Sequence, residues 1–448
     1  MRFFPHTQAD IEAMLATIGV SNVDELFEDI PAQLRERARL ELPPGRAEFE
    51  LRRYFEALAQ RNLASYERCF LGAGAYAHFV PAVVDHILQR AEFYSAYTPY
   101  QPEVSQGTLQ ATYEFQTLAA MLLGMDVANA SMYDGASATA EAVLMALRLR
   151  PGRRRVLVAR ALHPQYREVI RTYVEGSGSY VLEELPYGAE GTTDANALRS
   201  ALADDVAAVV VAYPNFFGAI EDLATLVALT RARDALAITA TTEPLALGIV
   251  RPPGEFGVDI AVAEGQSFGI PLSYGGPGVG LFATRLEFVR NMPGRLVGES
   301  VDTAGRRAFV LTLATREQHI RRERATSNIC TNHGLMALAV AVHLSLLGKH
   351  GLRELAETNL ARAHALAAAL EARGWTRPFR APFFNEFVVT HPQARERYER
   401  ALERKLLPGT LLARWYPELA DALLLCVTET PSGEAVDELL AALAPTSQ

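Results

Sequence analysis

Residues 206–214 read VAAVVVAYP, an apolar run without the polar alternation of a half-exposed strand. It is short for a helix, and a strand that is apolar at every position is one covered on both faces. LATLVALTRARD at 223–234 has the length and spacing of a helix, and two more short apolar runs follow, ALAITATTEP at 235–244 and VDIAVAEG at 258–265. The same alternation lies upstream in RRVLVAR, PQYREVIRTYVEG and SYVLEELP. Buried strands separated by helices of about 10–15 residues form parallel βαβ units. Residues 128–284 are therefore expected to make a doubly wound, mostly parallel α/β sheet.

Around this core the pattern changes. Short helices are expected from Thr7, as N-cap, to Gly19 and from Ser21 to Pro31, then amphipathic helices near 47–62, 82–92 and 107–123. Two polar, aromatic loops lie between them, FLGAGAYAHFVP at 70–81 and AEFYSAYTPYQPEVSQG at 91–107. Beyond the sheet, Ala/Leu/Arg-rich helices at 334–347 and 351–373 precede the strand patterns EFVVTHP and ALLLCVTET and a last helix from Ser432. The expected organisation is a helical and loop segment at 1–127, a large α/β domain at 128–330 and a small α/β domain at 331–448, with no flexible linker.

The 448 residues are 49% hydrophobic and 21% charged, with a net charge of −9. The arginines are interleaved with glutamates, as in REQHIRRERATS, so nucleic acid is not an expected partner. Cys69, Cys330 and Cys426 are too scattered for a disulfide framework or a C-x-x-C motif, which suits a reducing compartment. The start, MRFFPHTQADIEAML, lacks a secretory core, and no unbroken apolar run of about 18 residues is seen, so a cytoplasmic protein off the membrane is expected. Of 43 basic residues only Lys349 and Lys405 are lysines. Arginine keeps its proton and forms no imines, so lysine chemistry is confined to those two positions.

Four stretches are candidates for chemistry. MYDGASATAEAVLMAL at 132–147 puts Gly135, Ala136, Ser137 and Thr139 where a strand turns into a helix, a place that suits an anion and equally suits close packing. SAYTPYQPEVSQG at 95–107 is stiffened by proline and dense in hydroxyls, as a site or interface loop would be. TREQHIRRERATSNICTNHGL at 315–335 reads as an arginine-bearing helix ending in a TSNICT turn able to line a cavity. His319 and His333 have no carboxylate spaced to complete a zinc motif, so no metal is expected. DIAVAEGQSFGIPLSYGGPGVG at 259–280 leaves a buried strand at Gln266 and Ser267, neither of them a base, a reactive nucleophile or a metal ligand. Lone acids such as Glu243 and Asp259 show no partner, and nucleotide-binding and nucleophile-elbow motifs are absent.

Taken together, YTPYQPEVSQG, FQTLAAMLLGMDVANASMYDGASATAEA, PLSYGGPGVG and TREQHIRRERATSNICT resemble glycine decarboxylase, the P-protein of the glycine cleavage system. The resemblance runs from about residue 40 to beyond 340, and the length matches half of the fused enzyme, as in the first of two subunits where the enzyme is split. It implies the aspartate-aminotransferase-like fold of type I pyridoxal-phosphate enzymes. It also implies a reaction that decarboxylates glycine and passes its aminomethyl group to the lipoyl arm of H-protein, with the cofactor as electron sink.

In such folds the cofactor lysine belongs at the end of the strand matching VDIAVAEGQS, where this chain has Gln266 and Ser267. The aspartate that pairs with the cofactor's ring nitrogen belongs after the preceding strand, where Ala240, Thr241 and Thr242 stand. Lys349 and Lys405 look like helix-terminal cations. The resemblance thus implies pyridoxal phosphate bound covalently by a homologous second subunit, two copies of each chain, and no activity from this chain alone. Residues 1–127 would contribute to the subunit interface. Tyr97, Thr98, Tyr100, Gln106, Thr326, Ser327 and Asn328 would line the shared site, and Ser137, Thr241, Gln266 and Ser267 a degenerate pocket, empty or filled by side chains. The competing expectations are a self-sufficient decarboxylase with an unusual lysine and a purely structural or regulatory subunit.

Overall fold

The computed structural model describes residues 5–38, 41–62, 65–95, 97–176 and 178–444, in two compact units that divide after Asn62. The first unit holds α1 (Gln8–Ile18), α2 (Ala32–Arg37) and α3 (Glu48–Ala59). Thr7 caps α1 as expected: its hydroxyl accepts from the Asp10 amide, and the Asp10 carboxylate accepts from the Thr7 amide. The helix expected from Ser21 is only a 3-10 turn, Val23–Phe27, capped by Asn22, because Ser21 is drawn to Glu25 instead.

The second unit opens with α4 (Ala82–Leu88), the single turn α5 (Ala91–Tyr94) and α6 (Gln106–Leu123). Its main sheet has the order β1-β7-β6-β5-β4-β2-β3. The strands are β1 (Val127–Ala128), β2 (Arg155–Ala159), β3 (Val181–Leu185), β4 (Val206–Ala212), β5 (Leu236–Thr241), β6 (Ile260–Glu264) and β7 (Gly280–Thr284). Every residue of β4, β5 and β6 is buried, as unbroken apolar runs require. Successive strand side chains enter opposite cores. Leu157, Val209 and Ala237 join residues of α6, α9 (Ala195–Ala201) and α10 (Leu223–Arg231). Val156, Val210 and Ile238 join α7 (Gly135–Leu149) and α8 (Pro164–Glu175). Only β7 runs against the rest, pairing antiparallel with β6 and β1. The Gly/Pro-rich stretch 265–279 that leads into it holds no α-helix, and a return without a crossover helix gives an antiparallel neighbour.

The two compact units divide after Asn62, and α6 buries Phe115, Ala119 and Leu123 in the core of the main sheet. Residues 331–444 also stay within the sheet-bearing unit. An unforeseen hairpin, β8 (Leu296–Val301) with β9 (Arg307–Thr312), follows the sheet. Two glutamines of α6 clamp it: the Gln116 amide both donates to and accepts from the Val297 backbone (2.9 Å each), and Gln106 does the same at Phe309 (2.9 Å each). The arginine-bearing helix expected after 315 shrinks to α11 (Gln318–Arg321), since Arg322 takes left-handed backbone (φ 53°) and ends it.

By length and composition α12 (Gly334–Glu371) is apolar enough to cross a membrane, a test that the core helix of a folded domain also passes. Its helix breaks at Gly348 (φ 57°), which separates the two expected helices, and Ala339, Val340, Ala363 and Leu366 belong to the cores. The small sheet β10-β12-β11 comprises β10 (Glu386–Thr390), β11 (Thr410–Leu411) and β12 (Ala422–Cys426). It packs with α13 (Ala394–Glu403) and α14 (Gly433–Leu443) around Trp375 and Phe387.

Candidate functional site

Residues 70–78, one of the two loops singled out by composition, lie across the ends of β5 and β6. Tyr76, 1% exposed, donates its hydroxyl to Glu386 Oε2 (2.7 Å) and touches Thr242 Oγ1 (3.2 Å), while its amide donates to Gln266 Oε1 (3.4 Å). It therefore spans the two positions where the resemblance puts aspartate and lysine. Gln266 spends its amide nitrogen on the Ile270 carbonyl (2.7 Å), Ser267 donates to Glu243 Oε2 (3.2 Å), and Thr241 donates to the Tyr213 carbonyl (2.8 Å). The close approach demands glycine at two places. A Cβ on Gly72 would collide with the Glu386 carboxylate, and one on Gly218 (φ 81°) with the Glu386 carbonyl.

His78 is buried between two carboxylates, Glu243 at 3.0 Å and Glu429 at 2.9 Å. Burial disfavours its charge, but the two acids outweigh burial and hold the imidazole well above its ordinary pKa, as a buried cation. Burial likewise opposes ionisation of Glu429, and the bonds to His78 and the Phe79 amide more than reverse it, bringing its pKa down. Glu386 goes the other way: burial pushes it up to about 7 despite bonds from the Ala73 amide and Tyr76. Glu243 thus has the partner that sequence alone did not show, and Asp259 pairs with Arg285 (3.0 Å).

Ser137 sits in the first turn of α7, its amide donating to the Asp134 cap (2.7 Å). Beside it the Glu264 carboxylate accepts from the Gly135 amide (2.8 Å). A cofactor held through an imine needs an amine at these strand ends, and the residues present offer an amide, hydroxyls and carboxylates already bonded to one another. Lys349 follows the break in α12, Lys405 follows α13, and both are exposed. These strand ends supply no amine for an imine to pyridoxal phosphate.

The second cluster centres on Arg295, which the sequence reading passed over. It is 4% exposed and pairs with Glu317, 8% exposed, at 3.3 Å. Its Nη1 donates to Thr98 Oγ1 (3.2 Å) and Thr331 Oγ1 (2.9 Å), and its Nη2 to Tyr100 Oη (2.8 Å) and the Cys330 carbonyl (2.8 Å). One guanidinium fork thus ties the YTPY loop to the TSNICT turn. Tyr97, 80% exposed, lines the mouth of a cavity of ≈ 80 Å³ with Phe93, Arg295, Asn332 and Leu335.

Of the other expected site residues, Asn328 is exposed, Thr326 donates its amide to the Arg316 carbonyl (3.0 Å), and the Ser327 hydroxyl accepts from the Ile329 amide (3.1 Å). Gln106 stands apart, both ends of its amide committed to the hairpin. The signal for Arg295 was faint: a lone arginine after Pro-Gly, at the head of a strand. Tyr76, His78, Glu386 and Glu429 meet across some 300 positions and leave no local pattern.

The sequence model of the family "Glycine cleavage system P-protein" matches residues 1–443. A probable glycine dehydrogenase (decarboxylating) subunit 1 of Geobacillus kaustophilus is 51% identical over 441 residues, covering 98% of each chain. A protein of the same description from Anaeromyxobacter dehalogenans is 51% identical over 443 residues, covering 98% of this chain and 99% of that one. Among solved structures, a crystal structure of glycine decarboxylase (P-protein) of the glycine cleavage system in inhibitor-bound form superposes with a TM-score of 0.90 at 44% identity, over 99% of both chains. A sphingosine-1-phosphate lyase from Burkholderia pseudomallei, at 18% identity and TM-score 0.66 over 92% of this chain and 94% of that one, shares the fold. The aspartate-aminotransferase-like architecture implied by the sequence is the one observed.

Proposed function

The chain belongs to the glycine cleavage system P-protein family, and from that premise we propose that it is the first subunit of a two-subunit glycine decarboxylase whose cofactor is carried by the second. The observation that carries this division of labour is Gln266 at the exit of β6, bonded to Tyr76 and Ile270 where an amine would be needed. The second subunit is a homologue that binds pyridoxal phosphate covalently, and the complex holds two copies of each chain, in the cytoplasm. It decarboxylates glycine and delivers the aminomethyl group to lipoylated H-protein.

This chain's part is to position. Arg295 holds Tyr100 and Thr98 against the 330–331 turn, leaving Tyr97 exposed toward a partner surface. Groups fixed in this way raise a rate without bonding to the substrate, because the orientation is set before the reacting atoms meet. The test is to purify this chain alone and together with its partner. The expected result is a colourless chain inactive toward glycine, with CO2 release only from the pair; a chain that is yellow and active by itself overturns the proposal.

A further inference from the structure

Helix α7 begins at Gly135, after the Asp134 cap, at the turn whose small residues suit an anion. An anion is there, and it belongs to the chain itself. Glu264 is the last residue of β6, and both of its carboxylate oxygens are engaged. Oε2 accepts from the Gly135 amide (2.8 Å), and Oε1 from the amides of Gln266 (3.1 Å) and Val279 (3.0 Å). The donors come from three separate pieces of chain: the head of α7, the exit of β6 and the entry to β7. Gly278 keeps the space open, since a Cβ there would lie 3.1–3.2 Å from both carboxylate oxygens. Amides converging at a helix start are how proteins hold phosphate groups, and here a tethered carboxylate has taken them.

We propose that Glu264 is the permanent internal occupant of an anion cradle at the head of α7, and that it closes this chain to phosphate-bearing ligands. A phosphate arriving from solution must expel a carboxylate that never diffuses away, and the expelled charge stays buried beside it. Tyr76, bonded between Thr242 and Gln266, closes the neighbouring space in the same manner. The reading that the cofactor sits on the partner explains why such closure is tolerated; the carboxylate in the cradle can be tested separately.

The probe is inorganic phosphate, titrated calorimetrically into the full chain at pH 8, where Glu264 is ionised although burial pushes its pKa up to about 7. The wild-type chain is expected to bind none, and Glu264→Ala to bind at least ten-fold more tightly than wild type, with a phosphate-specific rise in melting temperature over chloride at equal ionic strength. Stoichiometric binding by the wild type overturns the proposal, as does a folded Glu264→Ala chain that gains no affinity. Glu264→Gln, nearly isosteric, keeps the cradle filled but turns an NH2 toward the Gly135 amide. It is expected to remain blind to phosphate while hydrogen exchange at Gly135 quickens at least ten-fold, and unchanged exchange overturns the assignment. A wild-type chain that bound pyridoxal phosphate would overturn both readings, whereas a colourless wild-type chain that bound free phosphate would overturn the cradle and leave the partner-cofactor reading standing.

Discussion

Replacing Arg295 by lysine preserves the charge and removes the fork. The guanidinium serves Glu317, Thr98, Thr331, Tyr100 and the Cys330 carbonyl from three nitrogens. A lysine ammonium has three protons on one nitrogen. If one stays with Glu317, whose buried carboxylate demands it, at most two of the other four partners are kept. Hydrogen bonds to charged groups contribute about 1.5–3 kcal/mol each, and the abandoned tyrosine and threonine hydroxyls recover part of that from water, leaving a loss of about 3 kcal/mol. With an unfolding entropy of about 2 cal/mol/K per residue over the 448 residues, the melting temperature falls by about 3 °C. The functional effect is disproportionate, because a displacement of about 1 Å in a positioning group costs roughly 100-fold in rate. In the two-subunit enzyme, release of CO2 from carboxyl-labelled glycine is expected to fall roughly 10- to 100-fold, mainly in kcat. Gln116→Leu, which loosens the hairpin without touching the fork, is the control for general destabilisation. If Arg295→Lys melts early but keeps wild-type kcat and KM, the loops it joins have no positioning role.

His78→Ala strands Glu243 and Glu429 in the interior without a counter-charge, and urea unfolding should show a loss of about 3–5 kcal/mol; a loss below about 1 kcal/mol would contradict a buried His78 cation. The pH profile carries the same information. The folded pKa of His78 lies above its ordinary 6.5, so its contribution is complete below that value and disappears as pH rises through the raised one. The folded pKa of Glu429 is lowered, so its contribution is present above the ordinary 4.5 and vanishes as pH falls toward about 2. The alkaline loss of stability should flatten in the alanine variant, and an unaltered profile would remove His78 as its source. Gly218→Ala drives a Cβ into the Glu386 carbonyl from left-handed backbone, and should cost about 3 kcal/mol in chemical denaturation; a neutral result would deny the close approach. In Gln106→Leu the Phe309 amide should exchange its hydrogen faster than in wild type, and equal rates would mean that the side chain does not clamp β9.

The main sheet was legible because its strands announce themselves locally. A run such as VAAVVVA needs no distant partner to declare that both of its faces are covered. The reversed β7 was not foreseen as reversed, since direction depends on the connection and not on the strand's own residues. Thr7 declared its cap within four positions, whereas the β8–β9 hairpin depends on two glutamines contributed by another element. The candidate site shows the same divide. The absence of lysine at Gln266 is a local fact, readable once the strand is placed. That Glu386 and Glu429 return to Tyr76 and His78 is a property of the folded chain, and the isolated motif FLGAGAYAHF says only that small residues and buried rings must meet something close.

On the proposal that the second subunit carries the cofactor, a cavity wall stitched to itself by Glu264, Tyr76 and His78 leaves no vitamin-derived small molecule among this chain's folding requirements. Proteins that capture such molecules gain stability in proportion to the logarithm of the ligand supply. On that proposal this subunit is exempt from the relation. Under vitamin starvation it should accumulate in its native form while its companion falters, leaving a ready scaffold for whatever companion chains are later completed.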